Sequence, residues 1–220
     1  MAFKLGVLGS GNGSNFQAIA DAIKDGRLKE IETAVVISDV EDAYILERAK
    51  AVGVPARYIA PGKYKTKLEP AVEQKYVSAL NEYNVDLVVL AGFMRIVKHD
   101  FLAAFPHKII NIHPSLLPAF PGLASFRQAF EYGVKVTGCT VHFVDEGMDT
   151  GPIIGQRVVP IFGNDTAATV HQRIQVEEHI LYPACIRAVA EGNCRVEGRR
   201  VILKKPDPLL NNLINLNNNL

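Results

Sequence analysis

Apolar residues fall into two kinds of stretch along the chain, and the two alternate. Short, nearly unbroken runs such as Leu87-Val88-Val89-Leu90 read as strands buried on both faces, since residues pointing to either side of the sheet are apolar. Between them lie longer segments in which apolar residues recur every three or four positions, the period of a helix with one buried face. Taken in order, the pattern predicts strands at 4–8, 33–38, 56–59, 86–91, 108–112, 137–144 and 153–159. Helices are predicted at 15–24, 42–52, 68–83, 100–105, 126–132 and 167–190. This alternation argues for βαβ units, and so for an α/β fold: a Rossmann-like open, mostly parallel sheet with helices on both faces.

Punctuation residues support those boundaries. Gly26 and Gly53 follow the first two helices, where a left-handed residue closes a C-terminus. Asp165 and Thr166 precede the longest helix and suit its N-cap. The run Cys139-Thr140-Val141-His142-Phe143-Val144 alternates small or polar residues with apolar ones, predicting a strand with two distinct faces. Residues 195–196 and 201–203 flank Glu197-Gly198 and read as a terminal hairpin. From Asn211 the chain is an Asn/Leu low-complexity tail expected to fray.

Composition narrows the partners. The 24 Lys and Arg nearly balance 23 Asp and Glu, for a formal net charge of +1, which leaves no broad electrostatic footprint for nucleic acid or an anionic membrane. An anionic ligand must then be held by a local arrangement of donors. A balanced surface also permits a homodimer. No apolar run approaches a bilayer span, and the opening MAFKLGVLGSGNGS is too short in its apolar part for a signal core. Cys139, Cys185 and Cys194 are odd in number and lack C-x-x-C spacing, so they read as reduced thiols. A cytoplasmic protein is the expectation.

Two places carry candidate chemistry. The first strand ends in Gly9-Ser10-Gly11-Asn12-Gly13-Ser14-Asn15 and runs into a helix. Glycines permit a tight turn and close backbone approach, and the helix N-terminus presents N–H groups and the positive end of its dipole, which suits a phosphate. A structural turn without ligand is the plainer reading. A dinucleotide site would want glycine where Ser14 stands, although Asp39 lies after the second strand where a ribose-binding acid belongs. A P-loop would need Gly-Lys-Ser/Thr, which is missing.

The second place is Asn111-Ile112-His113-Pro114 at the carboxyl end of the fifth strand, the end at which open α/β sheets bind ligands. Residues two apart share a face, so Asn111 offers an amide donor for an oxyanion beside a histidine that exchanges protons near neutrality. Further on, Asp145-Glu146-Gly147-Met148-Asp149-Thr150-Gly151-Pro152 reads as a shaped acidic loop whose carboxylate can hold a histidine protonated. A structural histidine and a solvated turn are the plainer alternatives. Zinc on His113, His142 and Asp149 is disfavoured because those residues lack a compact ligand spacing.

In this order, with Val89-Leu90-Ala91-Gly92-Phe93-Met94-Arg95, Asn111-Ile112-His113-Pro114-Ser115-Leu116-Leu117-Pro118, Val141-His142-Phe143-Val144 and Asp149-Thr150-Gly151-Pro152, the chain resembles the folate-dependent formyltransferases, from the glycine-rich turn to about Gly192. Within the family the likeness is greatest to enzymes that formylate the amine of glycinamide ribonucleotide in purine biosynthesis. The resemblance implies 10-formyltetrahydrofolate as co-substrate, direct transfer through a tetrahedral intermediate, and no metal. It implies one domain over 1–204, its N-terminal half binding phosphate and its C-terminal half folate-binding and catalytic, followed by a tail at 205–220.

The roles implied residue by residue are these. Asn111 stabilises the oxyanion, His113 is the acid–base and electrostatic partner, and Asp149 holds His113 and relays protons through water. Gly13, Ser14 and Asn15 hold the substrate phosphate, and Gln175 and Glu178 touch the amino substrate. Met94, Arg95, Ile96 and Val97 flank the pterin, as do Asp145, Glu146, Gly147 and Met148, with Lys67 in place of an arginine common in the family. The segment Gly122-Leu123-Ala124-Ser125-Phe126 departs from the pattern by lacking the one or two histidines usual there. A methionyl-tRNA formyltransferase is expected to add a nucleic-acid-binding domain, and a formyltetrahydrofolate deformylase an N-terminal regulatory one. A nicotinamide oxidoreductase and a non-catalytic folate- or nucleotide-binding module are the rival classes outside the family.

Overall fold

A computed structural model describes residues 1–211. The chain forms two compact units, Met1–Asn111 with Val144–Glu146, and Ile112–Phe143 with Gly147 onward. In the first unit, β1 (Phe3–Leu8), α1 (Ser14–Lys24), β2 (Ile31–Ser38), α2 (Tyr44–Ala51) and β3 (Ala56–Tyr58) follow one another. After them come α3 (Pro70–Glu82), β4 (Leu87–Leu90), α4 (His99–Ala104) and β5 (Ile109–His113). The strands run in the order β3-β2-β1-β4-β5, and every pairing among them is parallel. A central first strand with crossovers leaving to either side is the doubly wound arrangement.

Alternation along those strands explains why both faces carry helices. Leu8, Val35, Ile37, Val88 and Leu90 point to the face where Tyr76, Val77 and Leu80 of α3 and Phe101 of α4 pack. Their neighbours Leu5, Val7, Val36, Leu87 and Val89 are equally buried on the opposite face, as are Phe16 and Ile19 of α1 and Ile45 of α2. A strand apolar at every position is stable only when both faces are covered, as in a parallel sheet. Gly26 and Gly53 take φ of 81° and 74° just past α1 and α2, which lets the chain turn back without Cβ strain.

The second unit holds α5 (Ser125–Tyr132), β6 (Val136–Phe143), β7 (Ile153–Pro160), α6 (Ala167–Ala190), β8 (Cys194–Glu197), β9 (Arg200–Leu203) and α7 (Pro208–Asn211). Strands β6 and β7 are antiparallel, β9 adds to β7 in parallel, and β8 and β9 form the expected hairpin. The two faces of β6 are chemically distinct, as its alternation predicts, but both are buried. Its polar face is spent inside the chain: the Thr140 hydroxyl donates to the Ser115 carbonyl at 2.7 Å and accepts from Leu117 N–H at 3.1 Å. At the start of α6, Thr166 accepts from Thr169 N–H while the Thr169 hydroxyl accepts from Thr166 N–H, a reciprocal cap.

The predicted elements are all present, with ends displaced by a residue or two; Pro70 opens α3 and Gly13 precedes α1. Part of the segment read as a tail packs back: Asp207 accepts from Arg187 of α6 at 2.7 Å, and Leu210 is buried. The Asn-rich run beyond residue 211 lies outside the described residues.

Candidate active site

The glycine-rich turn is shaped by what lies behind it. Gly13 caps α1 at φ 77°, and a Cβ there would stand 2.7 Å from Ile45 of α2, so both its conformation and its surroundings demand glycine. Helix α2 grips the turn: Ile45 N–H donates to the Gly11 carbonyl at 3.0 Å, and the Arg48 guanidinium donates to the Asn12 carbonyl and side chain at 2.8 and 2.9 Å. Ser14 and Asn15 open α1, whose first turn holds no acidic residue and whose N-cap makes no side-chain bond. No acidic side chain of the helix's own first turn offsets the positive end of its dipole, which favours an anion.

Asp39 sits beside this turn with both carboxylate oxygens engaged. The Ser10 hydroxyl donates to Oδ1 and Arg95 Nε to Oδ2, at 2.5 and 2.6 Å. A carboxylate committed in this way, with its side chain 1% exposed, is withdrawn from any ribose, which counts against the dinucleotide reading.

The residues expected to flank a pterin divide by exposure. Met94 is exposed, Val97 is buried within the first unit's core, and Ile96 N–H donates to the Thr66 carbonyl at 2.9 Å. That bond places Ile96 against Lys67, whose ammonium lies 4.6 Å from the centre of the Tyr64 ring. Arg95 is tied to Asp39 and to the carbonyls of Tyr64 and Lys65. In the acidic loop Glu146, Gly147 and Met148 are exposed, while Asp145 is half-buried. Val144 N–H donates to the Ile109 carbonyl at 2.9 Å, which holds 144–146 alongside β5.

Asn111 pairs in register with Leu90, and His113 follows two residues later on the same strand, so the two side chains leave β5 on one side. In the second unit His113 meets Asp149. Its Nδ1 lies 3.4 Å from Asp149 Oδ2, and its Nε2 lies 3.0 Å from the Phe120 carbonyl. Both ring nitrogens thus face acceptor oxygens. Asp149 is held in turn by Gly122 N–H, which donates to Oδ2 at 2.8 Å. The residue takes φ 55°, a left-handed conformation that aspartate tolerates better than most side chains. Gly151 lets the loop close, because a Cβ there would stand 1.7 Å from the Phe143 carbonyl.

His142 is the site neighbour that sequence reasoning set aside when it dismissed zinc. Its Nε2 lies 3.8 Å from Asp149 Oδ1, and its Nδ1 lies 2.8 Å from the Phe143 carbonyl. The carboxylate therefore stands between two nearly buried imidazoles. The available signal was the polar face of β6, on which Thr140 and His142 alternate. Among the described residues no group of three or more His, Cys, Asp and Glu side chains is arranged to hold a metal ion.

Gln175 and Glu178 share a face of α6, with Gln175 half-buried and Glu178 buried. The adjacent Glu177 forms a buried ion pair with Arg157 of β7 that the sequence pattern did not flag. In the segment lacking the usual histidines, Ala124 takes φ 54° and Phe126 stacks on His171 of α6, with ring centres 4.1 Å apart and planes 7° from parallel. Burial pushes the His171 pKa down.

An anion-ready helix N-terminus and an Asp–His pair at the carboxyl end of a parallel strand are features of a group-transfer enzyme. Residues 3–186 match the formyl transferase family, and the chain belongs to that family. The phosphoribosylglycinamide formyltransferase of Bacillus subtilis (strain 168) is 46% identical over 194 residues, 88% of this chain and 98% of its own length. The Escherichia coli (strain K12) enzyme of the same name is 40% identical over 190 residues, 86% and 88% of the two chains. The crystal structure of glycinamide ribonucleotide transformylase 1 from Symbiobacterium toebii matches with a TM-score of 0.88 and 52% identity, covering 92% of this chain and 94% of that one. Among the described residues no helix is long and apolar enough to cross a membrane.

Proposed function

We propose that this formyltransferase moves the formyl group of 10-formyltetrahydrofolate to the amine of glycinamide ribonucleotide, in the cytoplasm, as a step of purine synthesis. The observation that carries the reading is the Asp149 carboxylate, pinned by Gly122 N–H and lying 3.4 Å from His113. It stands in a chain whose relatives of that activity match along nearly their whole length.

In this reading Gly13, Ser14 and Asn15 receive the substrate phosphate, and Gln175 and Glu178 contact its amine-bearing part. The folate lies along Met94, Arg95, Ile96 and Val97, with Lys67 and the loop from Asp145 to Met148. The N-terminal half then supplies the phosphate-binding turn, and the C-terminal half supplies the catalytic His113 and Asp149 and the folate-binding loop from Asp145 to Met148. The amine lone pair attacks the formyl carbon, and the carbonyl electrons move onto oxygen. Asn111 donates a hydrogen bond to that oxyanion, and His113 stands beside it as the acid–base and electrostatic partner. As the carbonyl re-forms, the carbon–N10 bond breaks, and a water held by Asp149 carries the amine proton to N10.

The test is release of tetrahydrofolate, or of its 5,8-dideaza analogue, followed by absorbance with and without glycinamide ribonucleotide. Release that needs the acceptor and disappears in His113→Ala supports the reading. Release without acceptor makes the protein a hydrolase, and no release in either case refutes formyl transfer to this acceptor. Asn111→Ala should lower turnover by about 10²–10³ if the amide holds the oxyanion.

A further inference from the structure

Asp39 stands just past the end of β2 and is buried. A buried carboxylate is costly unless paired and hydrogen-bonded, and here each oxygen meets one donor. The two donors come from different ligand-facing segments. Ser10 belongs to the glycine-rich turn, and besides donating to Asp39 its hydroxyl accepts from Met94 N–H at 2.8 Å. Arg95 belongs to the segment 94–97, and its Nη1 donates to the Tyr64 carbonyl at 2.8 Å and to that of Lys65. The same guanidinium thus fastens the stretch that carries Lys67. Close behind, the buried Tyr76 phenol donates to the Ile59 carbonyl at 2.7 Å, within the electrostatic reach of Asp39.

We propose that Asp39 is a positioning residue for both substrates, one buried carboxylate that sets the glycine-rich turn and the 94–97 segment against each other. Filling either segment then pre-orders the other and tightens the second substrate. The inference rests on the reading above for which substrate each segment binds. A carboxylate accepts from two donors at once. An amide offers one acceptor oxygen and a nitrogen that itself donates, so Asp39→Asn keeps the volume and loses one tether.

The test is steady-state kinetics with both substrates varied, together with thermal melts, on wild type, Asp39→Asn, Ser10→Ala, Arg95→Gln and the Ser10→Ala/Arg95→Gln double variant. Asp39→Asn should raise KM for donor and acceptor by about tenfold each, while kcat falls far less. Ser10→Ala should also raise the folate KM, and Arg95→Gln the KM of the phosphorylated acceptor. In the double variant the effects should fall short of their sum, because the second change breaks a link already broken. Melting temperatures that fall while both KM values hold would make Asp39 merely structural and overturn the proposal. Effects confined to each variant's own side, and additive in the double variant, would overturn it too. Should Asp39→Asn not fold, the cycle through Ser10 and Arg95 decides alone. A wild type that neither binds nor turns over the two substrates refutes the functional reading, whereas an active wild type with additive variants refutes only the coupling.

Discussion

Asp149 shows how little room the fold leaves a carboxylate. Its left-handed backbone, the Gly122 N–H on Oδ2 and two histidines at 3.4 and 3.8 Å together determine where the charge sits. Both imidazole distances exceed the roughly 2.7–2.9 Å of a formed charge-assisted bond, so the pairing has room to tighten as the site is used. Asparagine at 149 can still accept from Gly122 through its amide oxygen, but it brings no charge to His113. Asp149→Asn should therefore melt like wild type and lose about 10²-fold or more in kcat, as read by steady-state rates and circular dichroism. Activity within a few-fold of wild type would remove Asp149 from the chemistry.

The cysteines give a second residue-scale prediction. Burial pushes the thiols of Cys139 and Cys185 well up, and burial with the nearby Asp207 charge pushes Cys194 up to about 11. The thiolate is the reactive form, so at pH 8 only about one Cys194 in a thousand is ready to react. Alkylation of the native protein should be slow, confined to Cys194 and faster by about tenfold per pH unit toward 11. Peptide mapping by mass spectrometry would show this; rapid modification of Cys139 or Cys185 in the folded protein would contradict it. The odd count of unpaired thiols was legible in the sequence. Their protection was not, because burial depends on which strands and helices close over them.

Helix α6 displays the same logic at the scale of an element. Its N-cap and its position from 167 to 190 follow from local sequence, since Thr166 and Thr169 satisfy each other's backbone N–H groups. Thr166→Ala should cost about 1 kcal/mol in thermal or denaturant unfolding. Next to it, the Arg173 hydrogen bond, helped by Phe162 N–H, holds Asp165 well below the usual carboxylate range. A carboxylate whose folded pKa lies below its unfolded value of 3.8 adds stability above that value and loses it as pH falls toward the folded pKa. Melts of wild type and Asp165→Asn should thus differ most above about pH 5 and converge on acidification. A gap that widens in acid would reverse the sign and refute the pairing as a source of stability. Neither Arg173 nor Arg157 announced its partner in the sequence: Arg157 lies 20 positions from Glu177, and only folding β7 and α6 against each other joins them.

For the whole molecule, burial predicts an order of opening. In the first unit β1, β2 and β4 are apolar on both faces and largely buried. In the second, the hairpin of β8 and β9 has no fully buried residue. Native-state hydrogen exchange should find the slowest amides of the first unit in β1, β2 and β4, and those of β8 and β9 exchanging early. Protection of the hairpin equal to that of β4 would show that its stability comes from something other than its own burial. The α/β class, a mostly parallel sheet and the succession of elements were already legible in the apolar pattern, because that pattern records which faces must be hidden from water.

By itself the sequence determined the elements, the glycine-rich turn entering α1, the Asn–His spacing on β5 and, through the order of its motifs, the family. These are local properties, set by periodicity, backbone freedom and neighbouring residues, and they need no knowledge of distant contacts. The tertiary structure alone decided that Asp39 is bound by Ser10 and Arg95 and so withdrawn from ligand chemistry, although its position after β2 had suited a ribose. It also decided that His142 stands beside Asp149 and that Phe126 lies against His171. Each of those contacts joins residues far apart along the chain. Which partner a buried charge or ring finds depends on strand order and packing, which no local pattern encodes.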